Sequence, residues 1–73
     1  MKTIDLHGVK HIDVQRKLDM FFWEMIQRKQ PEVRVITGWS DEMKKIVKSV
    51  CKDYYFKVEE EIFNKGSLII KMR

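Results

Sequence analysis

The segment Lys2-Thr3-Ile4-Asp5-Leu6-His7-Gly8, near the start of this 73-residue chain, combines a strand pattern with a turn. Ile4 and Leu6 share one face of the predicted strand, and Gly8 permits a tight turn because it has no Cβ. A helix is expected from about Ile12 to Lys29, where apolar residues recur at helical spacing. The residues that we assign to the buried face of this helix, and so to the core, are Val14, Leu18, Phe21, Phe22, Met25 and Ile26.

A second strand and helix are predicted after Pro31, which cannot continue the first helix. The β-branched run from Val33 to Ile36 indicates a strand that stops at Thr37-Gly38. Ser40 can cap the following helix, because its hydroxyl can accept an amide hydrogen bond from the first turn. The predicted buried stripe of this helix is Met43, Ile46, Val47 and Val50.

The last third of the chain predicts two further strands. The segment from Tyr55 to Phe63 alternates in part, and Gly66 then turns the chain into a strand from Leu68 to Met72. The apolar residues that follow the two-residue period of a strand in the first of these segments are Phe56, Val58 and Ile62. The order βαβαββ in a single domain, residues 1–73, predicts an α+β two-layer sandwich. Its mixed four-stranded sheet is backed by two helices.

Composition excludes several classes of protein. Cys51 is the only cysteine, so an internal disulfide or a four-cysteine metal site cannot form. It lies beside the stripe of the second helix, which favours packing over a role as nucleophile. The segment from Met1 to Gly8 lacks the apolar stretch of a signal peptide, and no apolar run approaches the length of a membrane span. We expect a cytoplasmic domain without a membrane partner.

The charge balance favours a polyanionic partner without requiring one. Fifteen Lys and Arg against eleven Asp and Glu give a net charge of +4, which is short of a strongly basic nucleic-acid-binding domain. A solvated charged surface explains this balance equally well.

The two strand-to-helix turns are expected at the same edge of the sheet. A strand–helix–strand unit closes with a right-handed crossover, which makes its strands parallel. Ligands of open α/β sheets bind beyond the carboxyl ends of such strands. If the strands are neighbours, Asp5-Leu6-His7-Gly8 and Thr37-Gly38-Trp39-Ser40 lie together.

These motifs resemble the Smr (small MutS-related) domain family, which opens with a strand and an Asp-Leu-His-Gly turn, here Asp5 to Gly8. The residues at the spacings of the family's next helix are Asp13, Val14, Leu18, Phe21 and Phe22. The family's second strand ends in His-Gly-x-Gly or Thr-Gly-x-Gly before Leu-Arg, similar to Thr37 to Ser40 before Met43-Lys44. Its closing Gly-Ala-Thr-hydrophobic strand resembles Gly66 to Ile70.

The resemblance implies a fold similar to the C-terminal domain of bacterial translation initiation factor three. It also implies activities that range from DNA nicking to RNA cleavage and binding. Two residues depart from the second motif, since Ser40 replaces the family's second glycine and Trp39 its frequent lysine.

Asp5 and His7 are the candidate catalytic residues. Cleaving a phosphodiester needs an activated nucleophile and protonation of a leaving oxygen. Residues at i and i+2 on a strand share a face, so the Asp5 carboxylate can orient the imidazole of His7 or hold a metal-bound water. His7 can then move a proton near neutral pH. The alternatives are structural: Asp5 accepts backbone N–H groups of the turn, and His7 is a hydrogen-bonded histidine under the first helix.

The candidate nucleic-acid-binding residues are Gly8, Thr37, Gly38, Trp39, Ser40, Lys44 and Lys48. Thr37-Gly38 precedes a helix N-terminus, which offers amides to a phosphate, although an ordinary turn explains it equally well. Asp41-Glu42 disfavours an anion there unless a divalent cation, Mg²⁺ or Mn²⁺, takes part. Trp39 can stack on an unpaired base or anchor its loop. Lys44 and Lys48 can follow a phosphate backbone or form a solvated face.

No protein metal site is predicted. His11 lies four residues after His7, but Gly8 separates strand from helix between them, and we assign His11 to the surface.

Three functions fit the sequence. The first is an endonuclease acting on RNA or on single-stranded or branched DNA. The second is a non-catalytic RNA-binding, DNA-binding or ribosome-associated module. The third is a protein-interaction adaptor with Trp23, Trp39 and Tyr54 as exposed anchors. The choice between RNA and DNA and the oligomeric state are left open.

Overall fold

The computed structural model describes residues 1–72, whose six elements follow the predicted order βαβαββ. They are β1 (Lys2–Asp5), α1 (His11–Gln27), β2 (Glu32–Ile36), α2 (Asp41–Asp53), β3 (Lys57–Glu60) and β4 (Ser67–Lys71). The strand predicted between Tyr55 and Phe63 is shorter than expected, because only Lys57–Glu60 pairs with β4. Neither helix in the described part of the chain is long and apolar enough to cross a membrane.

The four strands form one mixed sheet in the order β1-β2-β4-β3. β1 pairs with β2 in parallel, with Ile4 opposite Val35, as a crossover through α1 requires. β4 is antiparallel to both of its neighbours, β2 and β3. β1, β2 and β3 therefore run in the same direction, and their carboxyl ends reach the same edge of the sheet. The predicted architecture is confirmed.

The core lies between the two helices and one face of the sheet. It comprises Leu6, Val14, Leu18, Phe22, Met25, Val33, Val35, Met43, Val47, Val50, Cys51, Leu68 and Ile70. Phe21 and Ile46 pack against its margin. One predicted core position, Ile26, is wrong, and Ile62 does not continue the strand pattern of Phe56 and Val58. Ile26 is 45% exposed near the end of α1, and Ile62 is 84% exposed because β3 ends before it.

Aromatic contacts join α1 to the segment that follows α2. The ring centroid of Phe22 lies 5.3 Å from that of Tyr54 and 5.2 Å from that of Phe56, both edge to face. Contacts of this geometry contribute about 0.5–1.5 kcal/mol beyond the buried area. Cys51 is fully buried beside them, which agrees with a packing role, and burial raises the pKa of its thiol to about 12.

A polar cluster stabilises the other face of the sheet. Arg34 of β2 donates to Glu61 Oε1 from Nε at 2.9 Å and from Nη2 at 2.7 Å. The hydroxyl of Ser67, on β4, donates to Glu61 Oε2 at 2.6 Å. These hydrogen bonds hold the pKa of Glu61 below its ordinary value, that from Ser67 having the largest effect. The carboxylate thus ties the chain leaving β3 to the two central strands.

Candidate nucleic-acid interface

Three loops meet at the edge of the sheet where β1, β2 and β3 end. We call them together the rim: the turn 5–9, the loop 37–40 between β2 and α2, and the loop 61–66 between β3 and β4. The N–H of Leu6 donates to the carbonyl of Ile36 at 2.8 Å, which extends the β1–β2 pairing into the rim. The structure therefore brings the two predicted turns together and adds a third loop.

Asp5 organises the first loop through its carboxylate. Its Oδ1 accepts the backbone N–H of His7 at 2.9 Å. The N–H of Val9 donates to the carbonyl of Leu6 at 3.0 Å, closing a four-residue turn. Gly8, the third residue of this turn, has a φ of +82°, where side chains are rarely found. Asp5 therefore makes the contact expected of its structural alternative, and this hydrogen bond holds the backbone of His7, not its imidazole.

The imidazole of His7 packs against the second loop. A Cβ added to Gly38 would lie 2.9 Å from His7 Cδ2, so a glycine at this position makes room for the ring. Gly38 also has a φ of +68°. His7 is exposed, so it is not a histidine covered by α1.

The carbonyl oxygen of Gly66 fixes the second loop to the third. It accepts the N–H of Thr37 at 2.8 Å and the N–H of Gly38 at 2.9 Å. Thr37 Oγ1 lies 3.3 Å from the same oxygen, and Thr37 is only 2% exposed. The expectation that Thr37 and Gly38 offer free amides to a phosphate is corrected, because both amides already have an acceptor.

Ser40 caps α2, as the sequence predicts. Its Oγ accepts the N–H of Met43 at 3.1 Å, and its carbonyl accepts the N–H of Lys44 at 3.1 Å. The first amides of a helix have no partner inside the helix. The backbone amides of Asp41 and Glu42 are therefore the ones in α2 that can bind a ligand at the rim. The carboxylates of the same two residues lie beside these amides.

Comparison with known proteins identifies the family. The family model described as the Smr domain matches residues 4–62, which is most of the chain. This chain belongs to the Smr domain family. The crystal structure of the Smr domain of Thermus thermophilus MutS2 matches with a TM-score of 0.89, covering 100% of this chain and 99% of that chain at 13% sequence identity. No curated protein matches the sequence. Smr domains are of the nucleic-acid-binding and nuclease kind, and the structural match establishes the fold.

Two exposed aromatic side chains of this Smr domain belong to the rim. Trp39 is 79% exposed in the second loop, and Phe63 is fully exposed in the third. Sequence reasoning missed Phe63, because it placed this residue at the end of a strand. The sequence signal for a turn here is the segment 64–66, with Asn64 two residues before Gly66. In the structure, Asn64 Oδ1 accepts the N–H of Gly66 at 3.1 Å. Asn and Gly at this spacing are typical of a turn.

Two lysines lie at the third loop, Lys65 within it and Lys44 beside it on α2. Lys44 of α2 and Lys65 line a shallow cleft of about 540 Å³, together with the carboxylates of Glu60 and Glu61. Lys48 instead pairs with Glu60, with 3.7 Å between Nζ and Oε1. Of the two lysines predicted to bind phosphate, Lys44 therefore borders the rim, and the charge of Lys48 is partly neutralised by β3.

The carboxylates and imidazoles near the rim do not gather around a common point. His11 Nδ1 lies 3.5 Å from Glu42 Oε1 in an exposed pair, which agrees with the surface position predicted for His11. Within residues 1–72, no three His, Cys, Asp or Glu side chains are placed to hold a metal ion. The residues of this described part of the chain therefore do not form a Mg²⁺ or Mn²⁺ site by themselves.

Proposed function

We propose that this Smr domain binds single-stranded RNA or DNA at the rim. The observation that carries the proposal is the exposure of two rings at Gly38: the His7 ring, which packs against Gly38, and the ring of Trp39, which follows Gly38 in the chain. Aromatic rings held at one edge can stack on unpaired bases, at about 1–3 kcal/mol per base. The exposed ring of Phe63, on the adjacent loop, extends the same surface.

Phosphate contacts are expected from Lys44 and Lys65, which line the cleft at the third loop. The net charge of +4 supports attraction of a polyanion. The carboxylates of Asp41 and Glu42 repel phosphate from the start of α2. The nucleic-acid backbone should therefore run over the third loop.

Fluorescence anisotropy with labelled oligouridine and oligodeoxythymidine, about 16 nucleotides long, tests this proposal. Trp39→Ala should weaken binding about tenfold, the equivalent of one lost stack. Trp23→Ala is the matched control, because Trp23 is also exposed but lies far along α1 from the rim. Equal affinities of wild type and Trp39→Ala, with a duplex bound as tightly as the single strands, would contradict the proposal.

RNA cleavage at His7 is a second candidate function, favoured by the exposed imidazole that Gly38 accommodates. A ring nitrogen of His7 would remove the proton of a ribose 2′-hydroxyl, whose oxygen attacks the adjacent phosphorus. The 5′-oxygen of the next nucleotide leaves and takes a proton from solvent. The products are a 2′,3′-cyclic phosphate and a 5′-hydroxyl. Asp5 would act as a positioning residue through the backbone of the turn.

Labelled RNA and DNA of the same sequence, incubated with pure protein in EDTA and in Mg²⁺ or Mn²⁺, test the cleavage proposal. RNA alone should be cut, in EDTA as well, with a cyclic phosphate end, and His7→Ala should remove the activity. Asp5→Asn should retain more activity than Asp5→Ala, because an asparagine oxygen can still accept the N–H of His7. DNA cleavage, cleavage only with added cation, or full activity in His7→Ala would rule out this mechanism.

A further inference from the structure

Two large apolar side chains of α1 are exposed away from the rim. Trp23 is 66% exposed and Met20 is 69% exposed. At about 1.5 Å per residue, Trp23 lies about 18 Å along α1 from His11, which begins this helix at the rim. Adjacent exposed apolar groups of this size mark interaction sites more often than isolated ones. Neither side chain packs against the core, so core packing does not explain why these two residues are apolar.

These side chains form one side of a groove whose other wall is Tyr54. The groove has a volume of about 680 Å³ and is lined by Asp19, Met20, Trp23, Glu24 and Tyr54. The Tyr54 ring is held from behind by Phe22 at 5.3 Å, and its hydroxyl donates to Asp19 Oδ1 at 2.8 Å. This wall is therefore fixed before any ligand arrives.

The charges in the groove are opposite in sign to the net charge of the domain. Asp19 and Glu24 place two carboxylates beside the rings, in a chain with a net charge of +4. Arg28 partly compensates the charge of Glu24, since its Nη2 lies 3.9 Å from Glu24 Oε1 in an exposed pair. A phosphate is disfavoured here, whereas an ammonium or guanidinium group is favoured.

We propose that this groove binds a lysine or arginine side chain from a basic segment of a partner protein. The cation lies over the face of Trp23, which attracts it through the ring quadrupole. Its carbon chain runs along Met20, and its charge pairs with Asp19 and Glu24. The site is separate from the rim and does not depend on the proposed function. One domain would thus hold a nucleic acid at one end and a basic protein at the other.

The test uses fluorescein-labelled hexalysine and hexa-arginine as probes and hexaglutamate as the charge control. Both cationic peptides should bind the wild-type domain, although its net charge repels them. Trp23→Ala should weaken binding at least about fivefold, the equivalent of about 1 kcal/mol for a cation–π contact. Asp19→Asn should weaken it similarly, while its amide oxygen keeps the hydrogen bond of Tyr54.

Two matched controls separate the groove from general surface effects. Tyr55→Asn removes another aromatic side chain, 95% exposed, with an asparagine that tolerates the φ of +62° at this position. Glu59→Gln removes an exposed carboxylate on β3. Both variants should bind the peptides as wild type does. Circular dichroism checks that every variant is folded.

Several results would overturn the proposal. One is equal peptide affinity of wild type, Trp23→Ala and Asp19→Asn, and another is equal binding of hexaglutamate. The lysines of α2 make a second copy of the chain an alternative occupant. Sedimentation velocity tests this, since a dimer that disappears in Trp23→Ala would assign the groove to self-association. Oligonucleotide binding by Trp23→Ala reports on the rim separately.

Discussion

Gly38 lies directly against His7 across the rim, since a Cβ at Gly38 would come within 2.9 Å of His7 Cδ2. The contact joins the turn after β1 to the loop after β2. Gly38 is also held by Gly66, whose carbonyl accepts its N–H at 2.9 Å. The position of the candidate catalytic ring thus depends on a residue without a side chain.

Gly38→Ala should destabilise the domain more than Gly8→Ala. The two glycines have φ values of +68° and +82°, so each alanine costs about 1–2 kcal/mol of backbone strain. A Cβ at Gly8 has no atom within 4 Å, whereas at Gly38 it displaces the His7 ring. Urea denaturation of the two variants measures the difference.

The double variant His7→Ala/Gly38→Ala isolates the contact. Removing the ring relieves the clash, so the loss in unfolding free energy should be smaller than the sum of the single losses by about 0.5 kcal/mol or more. Additive losses would show that the ring and the loop are not coupled.

The salt dependence of oligonucleotide binding should distinguish the lysines. Lys44→Ala and Lys65→Ala should each reduce the slope of log K against log salt concentration by about 0.7, the value for one phosphate of a single strand. Lys48→Ala should change the slope less, because Lys48 already pairs with Glu60. Equal changes for Lys44→Ala and Lys48→Ala would place the phosphate backbone along α2 instead of over the third loop.

The element order and the meeting of the first two loops could be predicted from the sequence, because both depend on local rules. Apolar spacing defines α1 and α2, and the handedness of the crossover through α1 makes β1 and β2 parallel. The hydrogen-bonding state of Thr37 and Gly38 could not be predicted. Their acceptor is Gly66, which is 29 residues from Thr37 and is brought there by the β2–β4 register.

The residue at which β3 ends could not be predicted from the sequence either, because it also depends on contacts with residues distant in the chain. Alternation continues to Ile62, but Glu61 is held by Arg34 and Ser67 on the central strands. The chain therefore leaves β3 after Glu60, and Ile62 and Phe63 become exposed. Side-chain contacts between distant strands, which no local pattern records, decide this part of the site.

The Glu61 cluster should make the domain sensitive to acid. Hydrogen bonds from Ser67 and Arg34 lower the pKa of Glu61 from its ordinary value of 4.5, so the folded state binds this proton less tightly than the unfolded state. The stability it contributes is present above pH 4.5 and is lost as the pH falls through the lowered pKa. Glu61→Gln should reduce this dependence in urea denaturation between neutral and acidic pH.

Glu59→Gln is the matched control for Glu61, because Glu59 is an exposed carboxylate on β3. Its pH dependence of unfolding should follow that of wild type. If Glu61→Gln keeps the full acid sensitivity, other carboxylates are responsible for it.

Cys51 should destabilise the domain in alkali. Burial raises the pKa of its thiol from 9.0 to about 12, so between these values the unfolded chain loses a proton that the folded chain retains. The contribution to stability is therefore constant below pH 9.0 and falls as the pH rises toward 12. Cys51→Ala lowers the unfolding free energy at every pH by leaving a cavity, but it should flatten this alkaline decline.

Tyr54 should contribute a second, smaller part of the alkaline decline. Its pKa is also raised to about 12, by burial and by its hydrogen bond to Asp19, so Cys51→Ala should retain a smaller decline that Tyr54→Phe removes. Urea denaturation at several pH values from neutral to alkaline measures both, and an unchanged decline in the double variant would assign it to other groups.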